Sequence, residues 1–183
     1  TDKVDCIVGT YGTDTILAQG AIARKYNKIT IQAGAATRRV DDEIGGTTTF
    51  TLVPSGDMYP KLAIEHLATM TPKPKRLATI TYDDAAYKEM TAAIKESAAK
   101  LGIEHVMDVL LPVNTEDLRP TALRLKREGN LDIVYSTGHD LPIIKLVQEM
   151  SALDVNVKAF VGGHLTTSPS VKSTLKEKLE YVY

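Results

Sequence analysis

From Leu77 onward, short unbroken apolar runs return roughly every 27 residues, and between them apolar residues recur every three or four positions. A parallel strand pair needs a crossover of a dozen or more residues, usually a helix, so this rhythm predicts repeated strand–helix–strand units. The strand candidates are 4–8, 29–31, 48–53, 77–82, 105–110, 131–135 and 158–161. Continuous apolar runs suit strands covered on both faces. Tyr87, Met90, Ile94, Ala98 and Leu101 form one helical stripe. Ile143, Ile144, Val147 and Met150 form a second, with Pro142 suited to a first turn, and Leu118, Ala122 and Leu125 a third. Gly102 and Gly129 are placed to end two of these helices.

Pro54, Ser55 and Gly56 interrupt the pattern and are read as a crossing between two lobes, residues 1–54 and 55–183. Only three strands precede that crossing, which leaves a thin core and unprotected edges. The chain is therefore expected to be part of a longer protein, with lobe one incomplete and a last strand only begun at "EYVY".

The net charge is −1, which gives no electrostatic reason to expect nucleic acid or a membrane surface as partner. No apolar run approaches the roughly 20 residues a membrane helix needs. The single cysteine, Cys6, lies in an apolar run and is expected to be buried and inert. Phosphate-loop, dinucleotide-fold and nucleophile-elbow motifs are absent, and no cofactor is expected. Metal-ligand spacing is also missing, although His139, His164 and Asp84 or Asp140 could meet in space.

In open parallel sheets, ligands bind beyond the carboxyl ends of the strands, where helix N-termini present backbone N–H groups. The junctions to consider are "GTYGTD", "AGAATRR", "DDAAY", "TGHD" and "GGHLTT". Thr13 and Thr37 suit either helix capping or ligand binding, and Tyr87 either a core or a ligand wall. His139 and His164 follow consecutive strands and are read as ligand contacts. His66 is expected to be half-buried, His105 to lack a partner, and Arg38 and Arg39 to be solvated. Lys172, Lys176 and Lys178 read as an exposed face.

"VDCIVGTYGTDTILAQGAIARKYNKITIQAGAAT", "TLVPSGDMYPKLAIEHL", "KPKRLATITYDDAAYKEM" and "AFVGGH" together resemble the type I periplasmic solute-binding proteins of ABC transporters. The likeness is to the leucine/isoleucine/valine- and amide-binding branch, and it runs over essentially the whole chain. It implies a two-lobed α/β fold, each lobe a parallel sheet flanked by helices, that closes over one small carboxylate, amide or amino-acid-like ligand. It also implies a periplasmic or extracytoplasmic location, a membrane permease as partner and no catalysis. Members of that family are longer, and by comparison the chain lacks two strand–helix units of lobe one and everything after the last strand of lobe two.

Carried over residue by residue, the resemblance places Thr13 on the hydroxyl that holds a ligand carboxylate, with Tyr11 and Gly12 beside it. Ala35, Ala36 and Thr37 fall on the second binding loop, and Tyr87 on an aromatic wall. His139 stands where an aromatic residue often sits, and His164 where an acidic residue usually pairs with a ligand ammonium. An unpaired buried ammonium costs several kcal/mol, so either Asp84 or Asp140 replaces that charge or the ligand is not an α-amino acid. An aromatic carboxylate or amide, stacked among Tyr11, Tyr87 and His139, fits better. Two other readings share the scaffold: a ligand-sensing regulator or receptor module, and an α/β enzyme with His139 or His164 as general base.

Overall fold

The structure, a computed structural model, describes residues 3–162, 166–179 and 182. The chain divides into two compact units, Thr1–Tyr59 and Pro60–Tyr183.

Unit one runs β1 (Cys6–Val8), α1 (Thr13–Lys25), β2 (Ile29–Gln32), α2 (Arg38–Ile44) and β3 (Thr49–Thr51). The strands pair in sequence order and in parallel, with Ile7 opposite Thr30 and Ile31 opposite Phe50. Right-handed crossovers place α1 and α2 on the same face. There Ile16, Ala35, Val40 and Ile44 form a small core, and Thr30 and Gln32 are fully buried. Among the described residues the other face is bare: Val8 is 79% exposed, Phe50 47% and Ile29 46%. Cys6 shares that face and is exposed, which corrects the expectation of a buried thiol. Apolar sequence places Cys6 in a strand, but burial needs a covering layer that the described residues do not supply.

Unit two begins within α3 (Met58–Leu67) and continues β4 (Arg76–Tyr82), α4 (Ala85–Lys100), β5 (Glu104–Leu111), α5 (Arg119–Glu128), β6 (Ile133–Ser136), α6 (Asp140–Ala152), β7 (Ala159–Val161) and α7 (Pro169–Leu175). Its four parallel strands are ordered β5–β4–β6–β7. The expectation of strands covered on both faces holds for β4, β6 and β7, which are buried throughout apart from the half-buried Arg76. Ile64, Leu67, Ile94 and Ala98 cover one face with Leu77 and Tyr135, while Leu125, Ile143, Val147 and Val171 cover the other with Ile80 and Val134. Gly102 and Gly129 do follow α4 and α5 in left-handed conformations, at φ +70° and +61°. The lysines Lys172, Lys176 and Lys178 are exposed, as expected. His66, by contrast, is exposed rather than half-buried, because Ile64 and Leu67 carry the packing of α3.

Polar chemistry lies along β5, the edge strand. His105 is not alone: its Nε2 lies 2.8 Å from the buried Thr79 hydroxyl. Thr79 donates to Asp108 at 2.9 Å, and Asp108 also pairs with Lys95. Burial pushes the Asp108 carboxyl up, but the hydrogen bonds from Lys95 and Thr79 outweigh it and hold the pKa below 3.8. His105 is shifted below its ordinary 6.5, first by burial and then by Lys95, against the upward pull of Asp108 and of the Met107 backbone.

The fold thus favours neutral His105. Its contribution to stability is complete above the usual imidazole value and is lost as pH falls through the lower folded value. Urea midpoints should drop from about pH 7.5 to about pH 5.5, and His105→Gln should flatten that slope. Asp108 acts separately, around and below pH 3.8.

Candidate functional site

Parallel pairing brings every strand-to-helix junction of a sheet to the same edge. In unit one this edge carries two loops that touch. Gly12 precedes α1 at φ +94°, and its N–H donates to the Gly34 carbonyl at 3.0 Å. A Cβ on Gly34 would lie 2.3 Å from the Thr10 carbonyl oxygen and 2.8 Å from Tyr11 Cα, so only glycine allows this approach. Tyr11, Gly12 and Thr13 are therefore held beside Ala35, Ala36 and Thr37. Tyr11 is exposed, Thr13, Gly12 and Ala36 are half-buried, and Ala35 and Thr37 are buried.

The two threonines differ. Thr13 is the first residue of α1 and makes no cap, since Gly12 occupies that position. Thr37 is the cap of α2, its hydroxyl accepting from the Arg39 N–H at 3.3 Å. Arg38 and Arg39 are solvated as expected, with side chains 68% and 42% exposed, and each also forms a surface ion pair: Arg38 with Asp57 at 2.8 Å, and Arg39 with Glu43 at 2.9 Å. The Arg38 guanidinium and the Ser55 hydroxyl keep the Asp57 carboxyl below its usual range. Arg39 also lies 3.9 Å from Asp14 on α1.

In unit two the chain leaves β4 toward β5 on one side and continues to β6 on the other, so β4 and β6 flank a topological switch point. Tyr87 stands in the first turn of α4 after β4, and His139 precedes α6 after β6. Their rings meet edge to face, with centroids 5.8 Å apart and planes at 74°. The Tyr87 Oη lies 3.3 Å from His139 Nε2 and 3.4 Å from Nδ1. Tyr87 is half-buried and His139 exposed.

The turn that carries His139 is fixed from below. The Thr137 N–H donates to the Ile80 carbonyl at 2.9 Å, and its hydroxyl lies 3.3 Å from the same oxygen. Gly138 has φ +148°, and a Cβ there would lie 2.9 Å from two atoms of the Tyr82 ring. Burial raises the Tyr82 phenol to about 12. Tyr82 and Gly138 were invisible to motif reading; the signal is a glycine inside "STGHD" that no helix end requires.

Neither carboxylate proposed for an ammonium is uncommitted. Asp84 caps α4, accepting from the Ala86 N–H at 2.8 Å. Asp140 accepts from Ser168 at 2.7 Å and from Ser170 through the same oxygen. His164 lies outside the described residues. Among the described residues no cluster of three or more His, Cys, Asp or Glu could hold a metal, and no helix is long and apolar enough to cross a membrane.

Each unit is a parallel α/β sheet with polar or aromatic residues at its strand carboxyl ends, the edge at which open sheets of this kind bind ligands. The sequence matches the periplasmic binding protein family over residues 1–183, and the chain belongs to that family. Among solved structures it is similar to a solute-binding protein of an ABC transporter from R. palustris in complex with benzoate. Identity is 18% and the TM-score 0.83, covering 96% of this chain and 48% of that one. It is similar as well to the branched-chain amino acid binding protein LivJ of Streptococcus pneumoniae in complex with isoleucine, at 17% identity and a TM-score of 0.85, covering 98% and 50%. A leucine-binding protein LivK from Thermotoga maritima gives 16% and 0.84, covering 97% and 49%. The chain spans about half the length of these relatives.

Gly138→Ala should therefore lower stability by about 1–3 kcal/mol, from backbone strain and the Tyr82 contact together. Gly102→Ala, whose Cβ meets nothing within 4 Å, should cost less in the same urea titration.

Proposed function

We propose that the protein is the extracytoplasmic solute-binding component of an ABC importer, which captures one small molecule without altering it and delivers it to a membrane permease. Family membership supports capture rather than turnover. The observation that carries the reading is the Tyr87–His139 wall at the switch point of unit two, formed by residues the family likeness assigns to ligand contact.

In this reading Thr13, with Tyr11 and Gly12, receives the ligand carboxylate or amide, and Ala35, Ala36 and Thr37 complete that half. Tyr87, His139 and His164 contact the remainder. The ligand class is a small carboxylate, amide or amino-acid-like molecule, and an aromatic carboxylate is favoured within it. A histidine, His164, stands where the family likeness expects the acidic partner of an ammonium, so a ligand without an ammonium is the better match. Its ring would stack on the Tyr87–His139 pair of unit two.

Calorimetry with benzoate, 4-hydroxybenzoate and isoleucine should show one-to-one binding by at least one of them. Thr13→Ala and Tyr87→Ala should each weaken it at least about tenfold, equivalent to about 1.4 kcal/mol. Unchanged affinity in both variants would refute the assigned site. Mass spectrometry of the released molecule should recover it unaltered; a converted product would favour the enzyme reading.

A further inference from the structure

We infer that Gln32 is a positioning residue for both ligand loops of unit one, an inference that rests on the solute-binding reading for what those loops hold. Gln32 ends β2 and is fully buried. Its amide saturates its hydrogen-bonding capacity of two donors and two acceptors. Oε1 accepts from the Gly34 N–H at 3.0 Å and from the Ala35 N–H at 2.9 Å. Nε2 donates to the Ala35 carbonyl at 3.1 Å and to the Thr51 hydroxyl at 3.0 Å. Both backbone polar groups of Ala35 are thus bound by one side chain.

The consequence reaches two loops and a helix. Gly34, turned by Gln32, offers its carbonyl to the Gly12 N–H, so the loop bearing Thr13 hangs on the loop bearing Thr37. Thr51 passes the network on by donating to Asp41 of α2 at 2.9 Å. Other polar side chains buried in the same sheet do not behave this way: Thr30 and Thr49 hydroxyls find no partner among the described residues. A buried amide filled on all four sides fixes a single loop geometry, because any other leaves unpaired groups in the core.

Hydrogen exchange on the intact wild-type protein tests this first. The Gly34 and Ala35 amides should be protected as strongly as Thr30 in β2, although they lie in a loop. Exchange at ordinary loop rates would overturn the inference without any variant. Gln32→Met keeps the volume and removes all four bonds. It should speed exchange at Gly12, Gly34 and Ala35 at least about tenfold while leaving Thr30 within about twofold. It should also weaken binding of whichever of benzoate, 4-hydroxybenzoate and isoleucine the wild type binds at least about tenfold, whereas Thr51→Val, which removes one acceptor, should lower the unfolding midpoint and leave that affinity within about twofold. Acceleration spread evenly through the three strands would reduce Gln32 to a stability role. Failure of wild-type protein to bind any probe would instead sink the solute-binding reading, and the exchange pattern would still decide the role of Gln32.

Discussion

Parallel strand pairing is the constraint on which the rest depends. Each strand ends at the same edge as its neighbours, so the residues that follow β1 and β2, or β4 and β6, become neighbours however far apart they stand in sequence. Tyr87 and His139 are 52 residues apart and meet because Ile80 is in register with Ser136. Gly12 and Gly34 meet because Val8 is in register with Ile31. No local sequence preference could produce either contact.

The two edges of the unit-two sheet are used differently. At the amino edge Asp132 accepts from the Lys75 and Arg76 N–H groups and pairs with Lys158 at 2.7 Å, which ties β4, β6 and β7 together at their starts. Burial raises that carboxyl, and Lys158 with the two backbone donors more than offsets it, leaving its pKa below 3.8. At the carboxyl edge the turn after β6 is held by neutral groups instead: the Thr137 hydroxyl and the Tyr82 ring under Gly138. Charge secures one edge of the sheet, and shape secures the turn that carries His139.

The alternation of apolar runs and helical stripes made the seven strands of the described residues legible, because the type of an element depends on local period; only β4, β6 and β7 are the fully covered strands that such runs suggest. Strand ends were less legible: 48–53 shortened to Thr49–Thr51, the residues in register with β2, although the Thr48 carbonyl and the Leu52 N–H still bond to β2 on either side. Exposure was not legible where it depends on a second layer, as at Cys6, or on which of two adjacent stripes a helix buries, as at His66 beside Ile64 and Leu67. Partners set by register escaped as well. Nothing near His105 in sequence indicates Thr79, which reaches it across the β4–β5 pairing. The loop residues expected to touch ligand were identifiable from family likeness, whereas the residues that hold those loops, Gln32, Gly34 and Gly138, were not. Their signal was a polar residue closing an apolar strand and two glycines that no helix end calls for.

That division has a physical basis. A ligand-contacting residue must present a particular group, so its type recurs wherever the same chemistry recurs. A supporting residue has only to satisfy whatever backbone groups its own loop leaves unpaired, and several side chains can do so. Gln32 meets both Ala35 polar groups through one amide, and a shorter side chain at that position would need different loop geometry to reach them. The geometry of the unit-one loops is therefore a property of this chain's own supporting residues. What those loops present is set by that support as much as by the contact residues themselves.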